Sequence, residues 1–176
     1  MKNKFILTTV LSAFALIGVA NAQTGSGTLG VTATVQGSIN LTFVTDASGL
    51  AVTGTGTSTA SVPCGNVSMY SGTVPAHVTK TISGTTSFSL STPFDVRVDL
   101  ANSASTTYTL TATLAAADST TTWLIGAIDI SAAAPHSLTA AGEFGTATPY
   151  TLKLTVPASA TAGLITNTIN FTAVGG

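Results

Sequence analysis

The sequence predicts an all-β chain, an antiparallel sandwich of about seven to nine strands. Three observations carry this. Apolar residues recur with a period of two in segment after segment, beginning with Leu29, Val31, Ala33, Val35, Ile39, Leu41 and Phe43, between which stand Thr, Gly, Ser, Gln and Asn. Gly, Ser, Asn and Pro clusters separate the segments, as strand-joining turns require. Beyond the first two dozen residues no window shows a helical period.

The chain starts with Lys2 and Lys4, an uncharged apolar run from Phe5 to Ala20, and Ala20-Asn21-Ala22 before Gln23. These are the charged, hydrophobic and small-residue regions of a secretory signal peptide, so residues 1–22 are expected to be cleaved after Ala22. The run is short of the ~20 residues of a spanning helix and no stop-transfer charges follow it, so no membrane span is expected in the mature form. A secreted protein, extracellular or on the cell surface, follows from that.

Residues 29–43 would extend roughly 50 Å as one strand, far beyond the usual five or six residues. The reading is two segments hinged near Gly37: an N-terminal extension over residues 23–37, and a domain over 38–176 whose first strand begins at Ile39. Asp46-Ala-Ser-Gly49 reads as a turn, and 53–61 as a Gly/Thr/Ser surface loop or weak edge strand. Val62 to Val67 reads as a short buried segment broken by Pro63 and Gly65, Tyr70 to Pro75 as turn, and Val78 to Ile82 as a short strand ended at Gly84.

The second half is more regular. Phe88 and Leu90 alternate with Ser; Phe94, Val96, Val98 and Leu100 alternate with Asp95, Arg97 and Asp99; Tyr108, Leu110, Ala112 and Leu114 follow the polar stretch 102–105. Two alternating runs around a short polar loop predict a β-hairpin. Trp123 to Ile130 supplies core candidates, residues 131–145 read as loop, Tyr150 to Val156 as a strand ended by Pro157, and Ile165 to Val174 as the last strand. The arrangement expected is immunoglobulin-like or a related Greek key.

Composition narrows the function. Lys and Arg number five in all, and beyond Ala22 only Lys80, Arg97 and Lys153 face six carboxylates, a formal charge of −3. Three isolated cations cannot neutralise a phosphate backbone, which excludes nucleic acid as a partner. Charged residues make up 6% of the chain against about 25% in an ordinary protein, so its outside is built on hydroxyls. Such a surface loses water at small cost, which suits packing against copies of itself, and it equally suits a secreted β domain in which Thr simply fits a pleat. The single cysteine, Cys64, excludes an intramolecular disulfide; it reads as a buried thiol, the alternative being a bridge to another molecule.

Catalytic readings lack their parts. His77 and His136 both lie near Pro in turn-like sequence, where solvated loop histidines are expected, and no nucleophile motif accompanies them. Asp95 and Asp99, about 13 Å apart along one strand face with Arg97 between them, are too far apart for a glycosidase pair and read as a surface ion-pair ladder. Asp46, Asp118 and Asp129 form no recognisable Ca²⁺ loop. No enzyme activity, metal or cofactor is expected.

The chain resembles secreted bacterial pilin-like β-sandwich subunits, chaperone–usher pilins and spore-coat-U-like domains among them. The likeness is one of layout. It is carried by the signal peptide, by Leu29-Gly-Val-Thr-Ala-Thr-Val35, and by the closing strands Pro149-Tyr-Thr-Leu-Lys-Leu-Thr-Val156 and Thr168-Ile-Asn-Phe-Thr-Ala-Val174. The resemblance implies an incomplete sandwich whose missing strand comes from the next subunit's extension. Leu29, Val31, Ala33 and Val35 would then be the inserted residues and Gly37 the joint. It further implies a homopolymer, with a periplasmic chaperone or assembly system as a second partner. This chain departs from many such pilins in lacking a disulfide, and the alternation crosses Gly37 without a clear linker, so residues 29–43 also read as one edge strand bent at Gly37. The expected function is a structural subunit of an extracellular filament or surface layer. The alternative is a monomeric secreted binding module of carbohydrate-binding or adhesin type, with Trp123, Tyr70, Tyr108 or Tyr150 as stacking platforms.

Overall fold

A computed structural model describes residues 30, 32–44 and 58–176, and every regular element among them is a β-strand in an antiparallel sheet. The chain divides into two units, residues 1–34 and 35–176. Of the first, Gly30 and residues 32–34 are described; they are exposed and lie in no strand.

The second unit is organised by one long strand, β5 (Ser87–Ala101, 15 residues). Along one side it pairs with β10 (Ala147–Pro157), from Ser87 to Arg97. Its other side is shared end to end: β4 (Thr79–Ser83) covers Ser87–Ser91, and β1 (Ser38–Val44) covers Asp95–Ala101. Between them Thr92, Pro93 and Phe94 pair with neither strand. Proline has no N–H to donate, so a break in the ladder is where a strand tolerates it. Beyond β10 lies β7 (Thr122–Ile125), which turns through Gly126 into β8 (Ile128–Asp129) and completes a six-stranded sheet. A three-stranded sheet faces it, in the order β11 (Ile169–Gly175), β6 (Thr107–Leu114), β9 (His136–Glu143). β2 (Asn66–Val67) and β3 (Gly72–Thr73) form a small separate ribbon.

The period of two explains what each strand buries. Along β5, Phe88, Leu90, Phe94, Val96 and Val98 are buried while Ser, Asp and Arg alternate with them. Register matches like with like: Val98 stands opposite Leu41, Val96 opposite Phe43, Phe94 opposite Tyr150 and Leu90 opposite Leu154. From the facing sheet, Tyr108, Leu110, Ala112 and Leu114 of β6 are fully buried. At about 1.5–3 kcal/mol for each large side chain, this shared core is the main favourable term. Two clusters result. The main one lies between the sheets, and a second gathers Phe88, Leu90 and Val156 with Met69 and Val78, where the β2–β3 ribbon covers the ends of the long strands.

Several expectations are corrected. β5 and β6 do not form a hairpin: the chain leaves β5 through Asn102, whose φ of 56° is left-handed, and enters the opposite sheet. Residues 131–145 are not all loop, since β9 occupies His136–Glu143. The last strand begins at Ile169, and residues 161–166 are exposed and unpaired. Alternation does not continue as strand before Ser38 among the described residues, while the expected strand from Ile39 to Phe43 is present within β1. The signal peptide expected over residues 1–22 and the turn expected at 46–49 lie outside the described residues.

Candidate functional site

Where the two clusters meet, the inter-sheet space stays open as a groove of about 1350 Å³. Its floor is the inner face of the larger sheet, from Phe94, Trp123, Leu152 and Leu154 in the main core to Phe88, Leu90 and Val156 in the second. At one end Leu41 and Phe43 of β1 face Ile169 and Phe171 of β11, with Phe43 and Phe171 edge to face at 5.3 Å between ring centres. Phe171 also meets Phe94 at 5.9 Å. This aromatic cluster closes the seam between β1 and β11 at that point.

β11 is placed by β6 and by one side chain. Asn167 donates from Nδ2 to the Ala116 carbonyl at 2.8 Å, while its Oδ1 accepts from the Ala116 and Thr168 N–H groups. The Ala115 N–H donates to the Thr168 carbonyl at 2.8 Å. The outer edge of β11 pairs with no strand among the described residues. An apolar groove beside an unpaired strand edge is what an added strand needs: backbone groups for the ladder and pockets for alternate side chains. The volume exceeds the 300–1,000 Å³ usual for small-molecule pockets.

The candidate donor residues fall as follows. Leu29 and Val31 lie outside the described residues. Ala33 is exposed and Val35 is 71% exposed, and neither lies in a strand. Gly37 lies just before β1, and a Cβ there would stand 3.1 Å from the Asn102 carbonyl oxygen and 3.2 Å from Ser103 Cβ, so this joint is packed against the exit from β5.

The polar candidates serve the fold. Asp118 Oδ1 accepts from the N–H groups of Thr120 and Thr121, and Oδ2 accepts from Trp123 Nε1–H at 2.8 Å. These bonds, the Thr121 N–H first and the indole next, hold its carboxyl below the ordinary value of 3.8. Asp129 is lowered likewise, mainly by the Ser131 hydroxyl. Arg97 Nε donates to Asp99 Oδ1 at 2.9 Å on an exposed face. His77 sits in a turn with φ 67°, whereas His136 begins β9, half-buried, with Nε2 lacking a hydrogen-bond partner; the expectation of a solvated loop histidine is corrected there. Burial raises the Cys64 thiol pKa, and Sγ lies 3.9 Å from the Val62 carbonyl. Trp123 is 5% exposed and Tyr108 fully buried, Tyr150 is half-buried, and Tyr70 alone of the four aromatics named as stacking platforms stands well exposed.

Sequence reasoning missed the groove itself. The sequence of its wall at residues 58–65 suggests a surface loop and a short buried segment, though Ala60, Val62 and Cys64 alternate there with Ser61 and Pro63. No protein-family model, no curated protein and no solved structure matches the chain, so what the groove can do follows from its own residues.

Proposed function

We propose that this chain is a non-enzymatic structural subunit of an extracellular filament or surface layer, exported through its N-terminal signal and assembled by β-strand complementation. The partner is a second copy, whose residues 28–36 enter the groove. The carrying observation is the apolar groove running past an edge of β11 that pairs with no strand among the described residues. The exposed, strand-free state of Ala33 and Val35 supports it, since a donor must be unpaired at home. In this reading the domain is an immunoglobulin-like Greek-key sandwich short of one strand, and a periplasmic chaperone guards the groove before assembly. Burying Leu29, Val31 and Val35 in a neighbour contributes about 1.5–3 kcal/mol each before the entropy of ordering is subtracted.

Deleting residues 24–36 tests this directly. The truncated protein should stay folded by circular dichroism and give no polymers by electron microscopy or size-exclusion chromatography. A truncated chain that unfolds as a monomer would make the segment part of its own core and end the proposal.

A further inference from the structure

β11 stops short of its own pattern. Half-buried Ile169, Phe171 and Ala173 alternate with exposed Asn170, Thr172 and Val174, and the same phase runs backward through half-buried Asn167 to Ile165. Residues 165–168 nevertheless lie in no strand, because β6 has run out: Leu114, its last residue, stands opposite Ile169. The Ala115 N–H to the Thr168 carbonyl and the Asn167 side chain to Ala116 carry the connection one step further. Ile165 is 42% exposed and its neighbour Leu164 90% exposed, and both border the apolar groove. Large apolar side chains left in water at such a rim enlarge the apolar patch that a partner would cover.

Length says what covers it. The donor run Leu29 to Val35 is seven residues, about 23 Å as a strand. Of β11, Ile169, Asn170 and Phe171 line the groove, about 10 Å of ladder; farther along, Phe43 meets Phe171 and Ile39 reaches Gly175, so β1 is in the way. Three residues cannot pair with seven, whereas residues 165–171 can. Direction agrees with length. In an antiparallel ladder, alternate residues turn their N–H and C=O to the same neighbour. The Thr168 carbonyl accepts from Ala115 and the Gly176 N–H donates to Thr107, so even-numbered residues face the β6 side. Ile169 and Phe171 therefore turn theirs to the free edge, as Ile165 and Asn167 would in a strand continued backward.

We propose that residues 165–168 are the unfinished half of the docking edge: when a second copy's strand enters, they join its ladder, β11 begins at Ile165, and the Ile165 side chain settles against the groove. The proposal rests on the complementation reading above. The incoming backbone supplies at this level the partner that β6 lacks. Ladder bonds and the burial of Ile165 then offset the entropy lost in ordering four residues.

Hydrogen exchange on the full mature chain, separated into monomer and polymer by size-exclusion and read by NMR after quenching, tests this amide by amide. The amides of Ile165 and Asn167 should exchange at least about tenfold more slowly in polymer than in monomer, together with those of Ile169 and Phe171. Slowing at Ile169 and Phe171 alone overturns the extension and leaves complementation standing. If none of the four slows, or no polymer forms, complementation along β11 falls and the extension with it. A second arm removes the apolar contact. Ile165→Ser should leave the Tm of the monomer within about 2 °C, since the side chain is already partly in water, and should raise the concentration at which polymers appear at least about fivefold. Val174→Ser, at a more exposed position on the outer face of β11, should leave that concentration unchanged. An unchanged threshold for Ile165→Ser, or equal shifts in both variants, overturns the proposal, and the exchange arm decides alone if a variant fails to fold.

Discussion

Thr92 places a hydroxyl where its neighbours along the inner face of β5 place the side chains of Leu90 and Phe94. It is 2% exposed and its Oγ1 has no hydrogen-bond partner. Thr92→Val keeps the shape and removes the unpaired group, so it should stabilise by about 1 kcal/mol, read as a rise in Tm of about 2–4 °C. At Gly142 the constraint is opposite. A Cβ there would fall into the ring of the fully buried Tyr108, its partner across β6 and β9, so Gly142→Ala should destabilise by about 1–3 kcal/mol in chemical denaturation. Asp118 makes stability depend on acid. Because folding lowers its pKa, its contribution is complete above 3.8 and is lost as pH falls through that value toward the depressed one. Asp118→Ala should flatten that part of the acid profile and, by stranding the Trp123 indole N–H, lower stability at neutral pH by about 1–2 kcal/mol. At this scale the buried faces were legible, since Phe94, Val96, Val98 and Trp123 can satisfy themselves only inside. Thr92 was not, because Thr suits either face of a pleat.

Among the elements, the strands that kept a strict period were found and those that broke it were lost. β10 alternates without interruption from Tyr150 to Val156 and is where the sequence placed it. β9 escaped because its pairing with β6 shifts register twice, around Leu110, and a shifted strand no longer alternates. The sheet a strand joins is equally invisible to periodicity: the link between β5 and β6 has the length and polarity of a hairpin turn but carries the chain across the core. In the proposed assembly the extension is the decisive element. Ala33→Asp with Val35→Asp should leave the Tm of the unassembled subunit unchanged, because both positions are exposed at home, and should abolish polymers in electron micrographs, because a carboxylate cannot enter an apolar groove unpaired.

For the molecule as a whole, the near absence of charge shapes how it meets its neighbours. Charged residues are 6% of the chain, and the Arg97–Asp99 pair lies exposed on one sheet face. There is little field to steer an approaching copy and little repulsion to overcome. Assembly rates should therefore change by less than about twofold between 0.05 and 1 M salt, measured by light scattering; a steep fall would reveal charge steering. The all-β class was legible from composition and period. The groove was not, because it arises from a mismatch in extent: β5 and β10 run past the facing sheet, and no single segment records that. The same scarcity of charge reaches into the strands. Lys80 lies in β4, Arg97 in β5 and Lys153 in β10, each in a paired ladder. A protease that cuts after lysine or arginine needs an unpaired stretch of chain to thread, and no described loop offers it such a residue. The folded protein should thus pass through trypsin whole, and even when unfolded it would be cut beyond Ala22 only after Lys80, Arg97 and Lys153.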